Sequence, residues 1–247
     1  MKVSVEKESY QVEGILFDKD GTIIDFYSIW GKWGQDITED ISNQLSESIH
    51  LNPEDMAKVI GLYLNENSWD PKGPLAISGT SELITILSHY LYQRNIPWND
   101  AYTYVTKSFE AISANLDWSQ YIKPIDGITE FIKDAHQAGL KMAVVTSDST
   151  DEAKRHLDLL NLRSYFDFVI GHDHVERGKP FRDMADIACQ QLGIENHQAL
   201  MFGDSNGDMK LVHNAGLQAG IGLSAHEDHS HLEDANLVIQ NYRGCNI

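Results

Sequence analysis

Two aspartates one residue apart, Asp18 and Asp20, follow an apolar run at residues 14–17, and Gly21 stands directly behind them. Carboxylates this close together repel each other, and a nearby cation relieves that repulsion. A carboxylate at such a position can act as a nucleophile, transfer a proton or bind a hard cation. The pair therefore indicates a reactive site whose remaining members lie elsewhere in the chain.

Further apolar runs also end in polar side chains, namely Thr146, the sequence GHDH at 171–174, and Asp204. Ligands of an open parallel sheet bind outside the carboxyl ends of its strands, so we expect these residues to converge with Asp18. We predict that Asp18, Asp20 and Asp204 share a divalent cation. Carboxylates with water and carbonyl ligands suit octahedral Mg²⁺.

The elements that position these residues alternate between short apolar runs and amphipathic segments. This pattern predicts an α/β fold, a three-layer parallel sheet with helices on both faces. Glycines just past three of the helices are typical of helix ends: Gly139, Gly193 and Gly216. The predicted strands are 14–18, 141–148, 166–171, 199–204, 218–223 and 236–240, and the predicted helices between them are 127–139, 149–162, 181–193 and 206–216.

One connection, residues 26–124, is far longer than a crossover between parallel strands requires. It has helical patterns and no buried strand run, so we predict an all-helical domain inserted into a core of residues 1–25 and 125–247. The amino-terminal residues 3–13 alternate weakly and fit either an edge hairpin or a loose arm. The helices expected in the insert are 28–49, 53–66, 80–93 and 98–116.

The composition of the 247-residue chain excludes several classes of function. A formal net charge of −18 argues against nucleic acid and against anionic membranes as partners. The first 20 residues contain no apolar core of a signal peptide, and no run approaches a membrane span. We therefore expect a cytoplasmic protein, a monomer or homodimer, in which Cys189 and Cys245 are reduced thiols.

Four short motifs carry a resemblance to a known family: DKDGT at 18–22, VVTSD at 144–148, RGKP at 177–180 and GDSNGD at 203–208. In order and approximate spacing they resemble the motifs of the haloacid dehalogenase-type phosphatases. The resemblance implies a Rossmann-like core. By position and helical content, the insert resembles the helical cap of the phosphoglycolate phosphatase-like members.

The resemblance also implies a role for each motif residue in the hydrolysis of a small phosphorylated metabolite through an aspartyl-phosphate. Asp18 corresponds to the nucleophile and Asp20 to the general acid and base. Thr146 and Lys179 complete the implied catalytic set. The implied phosphate-binding residues are Asp18, Lys19, Asp20, Gly21, Thr146, Ser147 and Lys179, and the implied Mg²⁺ site comprises Asp18, Asp20, Asp204 and Asp208.

Within that family, Asp20 favours phosphoester hydrolysis over ion pumping, because the pumps resemble DKTGT and have threonine there. True dehalogenases also lack an acid at this position. Three alternatives remain open: a phosphomutase, a phosphonate hydrolase and a non-catalytic binding protein. A phosphonate hydrolase would need a Schiff-base lysine from the insert, for which Lys32, Lys58 and Lys72 are candidates.

A group of histidines, His226, His229 and His231, lies within six residues but has irregular spacing and no strong helical pattern. Zinc ligands usually follow a more regular spacing. We therefore predict a solvated loop here and not a zinc site.

Overall fold

The chain divides into two compact units in a computed structural model that describes residues 1–45 and 49–247. The core unit comprises Met1–Asp25 and Ile122–Ile247, and the inserted unit comprises Phe26–Tyr121. Within the described ranges, every helix is too short or too polar to cross a membrane.

Strands and helices alternate through most of the core unit, and helices dominate the inserted unit. The strands are β1 (Lys2–Val5), β2 (Glu8–Gln11), β3 (Gly14–Phe17), β4 (Leu62–Tyr63), β5 (Ser68–Trp69), β6 (Lys141–Val145), β7 (Phe168–Ile170), β8 (Ala199–Gly203), β9 (Ala219–Leu223), β10 (Leu237–Ile239) and β11 (Cys245–Asn246). The α-helices are α1 (Lys32–Leu45), α2 (Pro53–Lys58), α3 (Pro74–Ile77), α4 (Thr80–Tyr92), α5 (Trp98–Asn115), α6 (Ile128–Ala138), α7 (Thr150–Leu159), α8 (Asp183–Leu192) and α9 (Asn206–Ala215).

The centre of the core unit is a parallel sheet of six strands in the order β10-β9-β8-β3-β6-β7. All six predicted strands are present, each slightly shorter than its apolar run. Strand β3 lies between β6 and β8, and Phe17 is in register with both Val144 and Phe202. The predicted α/β parallel-sheet fold is confirmed, and the register brings the carboxyl ends of three strands side by side.

Both faces of this sheet are buried, which explains why its strands are apolar without alternation. On one face Phe17 stacks on Phe202, with ring centroids 5.4 Å apart, and meets the edge of Phe131. On the other face Leu16 and Met201 pack among the residues of α8 and α9. Burying side chains of this size stabilises the fold by about 1.5–3 kcal/mol each, so the strand ends are held rigidly.

The amino-terminal segment forms a hairpin, one of the two alternatives left open by its sequence. Strands β1 and β2 pair antiparallel, and β11 from the carboxyl terminus pairs with β1. Cys245 of β11 is buried, and so is Cys189 of α8; both are free thiols. Burial raises the pKa of each thiol to about 12, so both remain protonated at neutral pH.

The inserted unit corrects the prediction of an all-helical domain. Helix α2 ends at Lys58, and the following residues form the antiparallel pair β4–β5 where a helix over 53–66 was predicted. Gly61 has a φ of +79° and Asn67 a φ of +48°, and both lie in the left-handed region that ends a helix. Trp69 of β5 stacks on Phe26 with centroids 4.9 Å apart, which holds the hairpin in place.

The predicted helix over 28–49 begins as a π-helical turn at Tyr27–Gly31 and continues as α1 to Leu45. Residues 46–48 of the prediction lie outside the described residues. Trp33 is buried in this unit, where its indole N–H donates to the Ser113 hydroxyl at 3.1 Å.

Candidate active site

The carboxyl edge of the central sheet brings Asp18, Thr146 and Asp204 together. Because Phe17 is in register with Val144 and Phe202, Asp18 lies level with the last residues of β6 and β8. Thr146 and Asp204 follow one residue later on the neighbouring strands. Asp18 is 5% exposed, and its backbone N–H donates to the carbonyl of Phe202 at 2.8 Å. These three predicted site residues therefore converge.

Gly21 allows the loop after Asp18 to approach Asp204. Its φ is +74°, and a Cβ atom there would lie 2.0 Å from the Asp204 carboxylate. Glycine is therefore required both by the backbone conformation and by the lack of space. The resemblance implies that Gly21 takes part in phosphate binding; its own backbone N–H donates to the carbonyl of Ile24 at 2.7 Å.

Lys179 bridges two carboxylates at the centre of the site. Its Nζ atom lies 2.6 Å from Asp18 Oδ1 and 2.7 Å from Asp208 Oδ1. The three side chains are at most 8% exposed, so water screens these ion pairs little. The ammonium is thus held against the oxygen predicted to be the nucleophile.

The two carboxylate oxygens of Asp208 have different hydrogen-bond partners. Its Oδ2 accepts hydrogen bonds from the hydroxyl of Ser205 at 2.6 Å and from the backbone N–H of Ser205 at 3.2 Å. This capping box begins helix α9 and orients the carboxylate, whose Oδ1 then meets Lys179. The helix start thereby sets the position of a charged group in the site.

Burial raises the pKa of Asp18 to about 7; Lys179 counteracts the shift, and the neighbouring Asp208 carboxylate adds to it. Burial also raises the pKa of Asp204 well above its usual range, as do the charges of Asp18 and Asp208. Although burial alone would lower it, the two bridged carboxylates raise the pKa of Lys179, which stays charged. The lysine alone therefore does not keep all of these carboxyl groups in their charged form.

The residues present fit a divalent cation. One carboxylate oxygen each from Asp18, Asp204 and Asp208 can be chosen so that all three lie within 4.8 Å of one another. Hard oxygen donors and surplus negative charge are what Mg²⁺ requires. Among the described residues this is the one such group of acidic, histidine or cysteine ligands.

The three histidines of the 226–231 loop do not belong to any such group among the residues that the structure describes. The prediction of a solvated loop is wrong for His231, which is 6% exposed and meets the ring of His226 edge-on. His231 lies in a turn in which the backbone N–H of Leu232 donates to the carbonyl of His229, and the side chain of Leu232 is buried as well.

The hydroxyl groups of Thr146 and Ser149 have different hydrogen-bond partners. The Thr146 hydroxyl accepts the backbone N–H of Asp148 at 3.1 Å, which leaves its own proton to donate. Ser149 begins α7 by accepting the N–H of Glu152. Ser147 is exposed at the strand end. Helix capping therefore does not occupy Thr146, and its part in phosphate binding stays a prediction.

The side chain of Lys19 points into the protein and does not join Lys179. It is fully buried and lies between Asp20, Asp148 and His156, at 2.7, 2.8 and 2.9 Å from Nζ. Asp148 and His156 were not among the site residues predicted from the sequence. Asp148 is part of the VVTSD motif, but His156 lies on a helix where nothing in its spacing distinguishes it from a packing residue.

Tyr242 is another residue that the sequence analysis missed. It is 2% exposed and stacks on Phe131 beneath the site, with centroids 5.5 Å apart. Burial raises its pKa well above the usual range, and the charges of Cys245, Asp18 and Asp204 add to this. Tyr242 lies near the carboxyl terminus, where no sequence pattern predicted a contact with the central sheet.

We expect His156 to make the protein sensitive to acid. Burial, together with the Lys19 charge, lowers its pKa from 6.5 to about 3, so the native state binds fewer protons than the unfolded chain. The resulting stability is present above pH 6.5 and is lost as the pH falls toward 3. At pH 5 the expected loss is about 2 kcal/mol.

Urea denaturation at pH 7 and pH 5, with His156→Gln beside the unmodified protein, measures this effect. The substitution should reduce the difference in unfolding free energy between the two pH values. An equal difference in both proteins would contradict the assignment.

The fold and the site together define an α/β enzyme core with an acidic, lysine-bridged centre at the carboxyl edge of a parallel sheet. The sequence profile of the haloacid dehalogenase-like hydrolases matches residues 15–221, which is most of the chain. The chain belongs to this family.

Several proteins of this kind are similar to the chain. A phosphoglycolate phosphatase of Aquifex aeolicus is 32% identical over 103 residues, which cover 42% of this chain and 48% of that protein. The chain thus spans about half the length of such relatives. The fructose-1-phosphate phosphatase YqaB of Escherichia coli is 25% identical over 83% of this chain and 94% of its own. A putative β-phosphoglucomutase from Thermotoga maritima shares the fold, with a TM-score of 0.67 and 20% identity over 92% of this chain and 94% of its own.

Proposed function

We propose that this protein is a Mg²⁺-dependent phosphatase that hydrolyses a small phosphorylated metabolite through an aspartyl-phosphate on Asp18. The observation that carries the proposal is the bridge of Lys179 between Asp18 and Asp208, beside the carboxylate of Asp204. This arrangement neutralises negative charge where a phosphate monoester would bind, and phosphoryl transfer depends mainly on positioning and charge neutralisation.

In the first step, a carboxylate oxygen of Asp18 forms a bond to phosphorus and the bond from phosphorus to the ester oxygen breaks. Asp20 gives a proton to that oxygen, which leaves as an alcohol. In the second step, Asp20 takes a proton from water while the water oxygen bonds to phosphorus. The bond between phosphorus and Asp18 then breaks, which releases inorganic phosphate and restores both aspartates.

Other side chains bind and orient the phosphoryl group in this scheme. Lys179 neutralises charge on Asp18 and on the phosphate, and the Thr146 hydroxyl donates to a phosphoryl oxygen. Asp18, Asp204 and Asp208, with the backbone of Asp20, would hold Mg²⁺, which supplies further neutralisation of negative charge when bound. The Lys19 side chain has no direct part here, because it faces Asp148 and His156.

The proposed substrate class is supported by the relatives, whose names refer to phosphoglycolate and to a sugar phosphate. The inserted unit is proposed to carry the residues that select among such compounds. A phosphomutase is the second candidate, favoured by the fold shared with a putative β-phosphoglucomutase. The mutase would pass the phosphoryl group of Asp18 to a sugar phosphate and not to water.

The phosphonate hydrolase gains no support from Lys32 or Lys58. A Schiff-base lysine needs a neutral amine, but the hydrogen bond to Asp36 raises the pKa of Lys32. Lys58 is 49% exposed beside Glu54 and Asp55.

Removal of divalent cations should abolish turnover. With the cation gone, the repulsion among the site carboxylates protonates or displaces the nucleophile. We expect EDTA to reduce hydrolysis of p-nitrophenyl phosphate and of a panel of sugar phosphates and phosphoglycolate to background, and Mg²⁺ in excess to restore it.

Ca²⁺ serves as a matched control: it prefers a larger and looser coordination than Mg²⁺, so it should restore far less activity. Full activity in EDTA would refute the metal site, and inactivity of the Mg²⁺-loaded protein on the whole panel would refute phosphatase function.

A further inference from the structure

Lys19 occupies a buried position that a long cationic side chain rarely takes. Its side chain is 0% exposed, and its ammonium contacts both oxygens of Asp20 at 2.7 and 2.9 Å. A buried ammonium is costly unless its donors and its charge are both matched. The chain therefore has to supply those partners from the surrounding elements.

The partners come from the end of β6 and from α7. Asp148 Oδ2 lies 2.8 Å from the ammonium, and His156 Nδ1 lies 2.9 Å from it. The lysine has three N–H donors, and its hydrogen bonds go to the two carboxylate oxygens of Asp20 and to His156 Nδ1, while Asp148 forms an ion pair with the ammonium. Burial and the Lys19 charge keep the pKa of His156 low, near 3, so its ring is neutral and Nδ1 can accept.

We propose that Lys19 is a positioning residue that fixes the carboxylate of Asp20, the general acid and base, and that Asp148 and His156 anchor it for this task. The proposal rests on the phosphatase function proposed above. Lys19 does not touch the substrate in this arrangement. It links the catalytic loop to α7 through His156.

The geometry explains why this contact bears on proton transfer. Asp20 is part of a short loop after β3, and its side chain is 16% exposed, so the ion pair with Lys19 acts on a carboxylate that is largely shielded from water. An ammonium against both oxygens restricts the rotation of the carboxylate. A general acid must reach the leaving oxygen with a proton in place, so loss of orientation weakens proton donation more than it weakens phosphate binding.

The experiment compares two phosphoesters with different demands for the general acid. The leaving group of glycerol phosphate is an alkoxide that must be protonated. The leaving group of p-nitrophenyl phosphate is a stable anion that needs no proton. We expect Lys19→Met to lower kcat/KM about 100-fold for glycerol phosphate and about threefold for p-nitrophenyl phosphate, because general acid catalysis contributes at least about 100-fold. Since kcat/KM includes only the steps up to the first irreversible one, it reports on the attack by Asp18. It does not depend on the later step in which Asp20 acts as a base.

Lys141→Met is the matched control, because Lys141 pairs with Asp167 at the opposite end of β6 and is 51% exposed. It should leave the ratio of the two rates unchanged. If the unmodified protein is active and Lys19→Met lowers kcat/KM for both esters by the same factor, the positioning role is overturned. The phosphatase function then remains intact. An unmodified protein inactive on both esters would overturn the function, and the role of Lys19 with it.

If Lys19→Met does not fold, as judged by circular dichroism, His156→Leu decides the question. This substitution replaces a neutral, fully buried ring and leaves one ammonium donor without an acceptor. We expect the same selective loss for glycerol phosphate, roughly fivefold, because the ammonium moves to regain a partner. An unchanged ratio of the two rates would overturn the proposal.

Discussion

Replacing Asp18 by asparagine is expected to lower the turnover of phosphoesters by roughly 10⁴-fold or more, the scale seen when a nucleophile is removed. An amide cannot attack phosphorus or carry the phosphoryl group. The site should otherwise persist, because Lys179 keeps its contact with Asp208 at 2.7 Å. Phosphate binding should therefore survive the loss of turnover.

Two measurements on the same variant separate these effects. Steady-state hydrolysis of p-nitrophenyl phosphate reports turnover, and calorimetric titration with inorganic phosphate in the presence of Mg²⁺ reports binding. Asp126→Asn is the matched control, since Asp126 is 54% exposed and pairs with Arg243, and neither residue belongs to the candidate site. It should keep the activity of the unmodified protein. Appreciable turnover by Asp18→Asn would remove Asp18 from the role of nucleophile.

The positions of the strand ends were predictable because two simple signals agree. Apolar runs without alternation identify strands buried on both faces, and parallel strands align their carboxyl ends. Once β3 lies between β6 and β8, Asp18, Thr146 and Asp204 meet as a matter of register. Spacing along the chain could not have shown this without the sheet.

The errors occurred where a tertiary contact or a backbone conformation decides the outcome. The helical pattern over 53–66 does not show that Gly61 takes a left-handed φ or that Trp69 stacks on Phe26. The motif resemblance implies a part for Lys19 in phosphate binding, and it does not show that the side chain points inward to Asp148 and His156. Asp148 follows the end of β6 and His156 lies on α7. A local sequence pattern cannot show that these two residues lie close to Lys19.

Replacing Lys179 by methionine is expected to reduce both stability and activity. Methionine fills a similar volume but leaves Asp18 and Asp208 buried without their shared cation, at a cost of about 3 kcal/mol or more in the free energy of unfolding. Turnover should fall by roughly 10³-fold, since a positioned charge that stabilises the transition state is lost. Urea denaturation without divalent cations and steady-state kinetics with Mg²⁺ measure the two losses.

A second substitution distinguishes the catalytic loss from damage to the fold. In Lys179→Met with Asp208→Asn, one uncompensated charge disappears while the amide can still accept from Ser205. We expect this double variant to recover part of the lost stability but none of the lost turnover, because neither methionine nor asparagine supplies positive charge near Asp18. Recovery of activity together with stability would show that Lys179 acts on turnover only by holding the fold. If Lys179→Met alone were as stable and as active as the unmodified protein, this result would contradict the central role of the Lys179 bridge in the site.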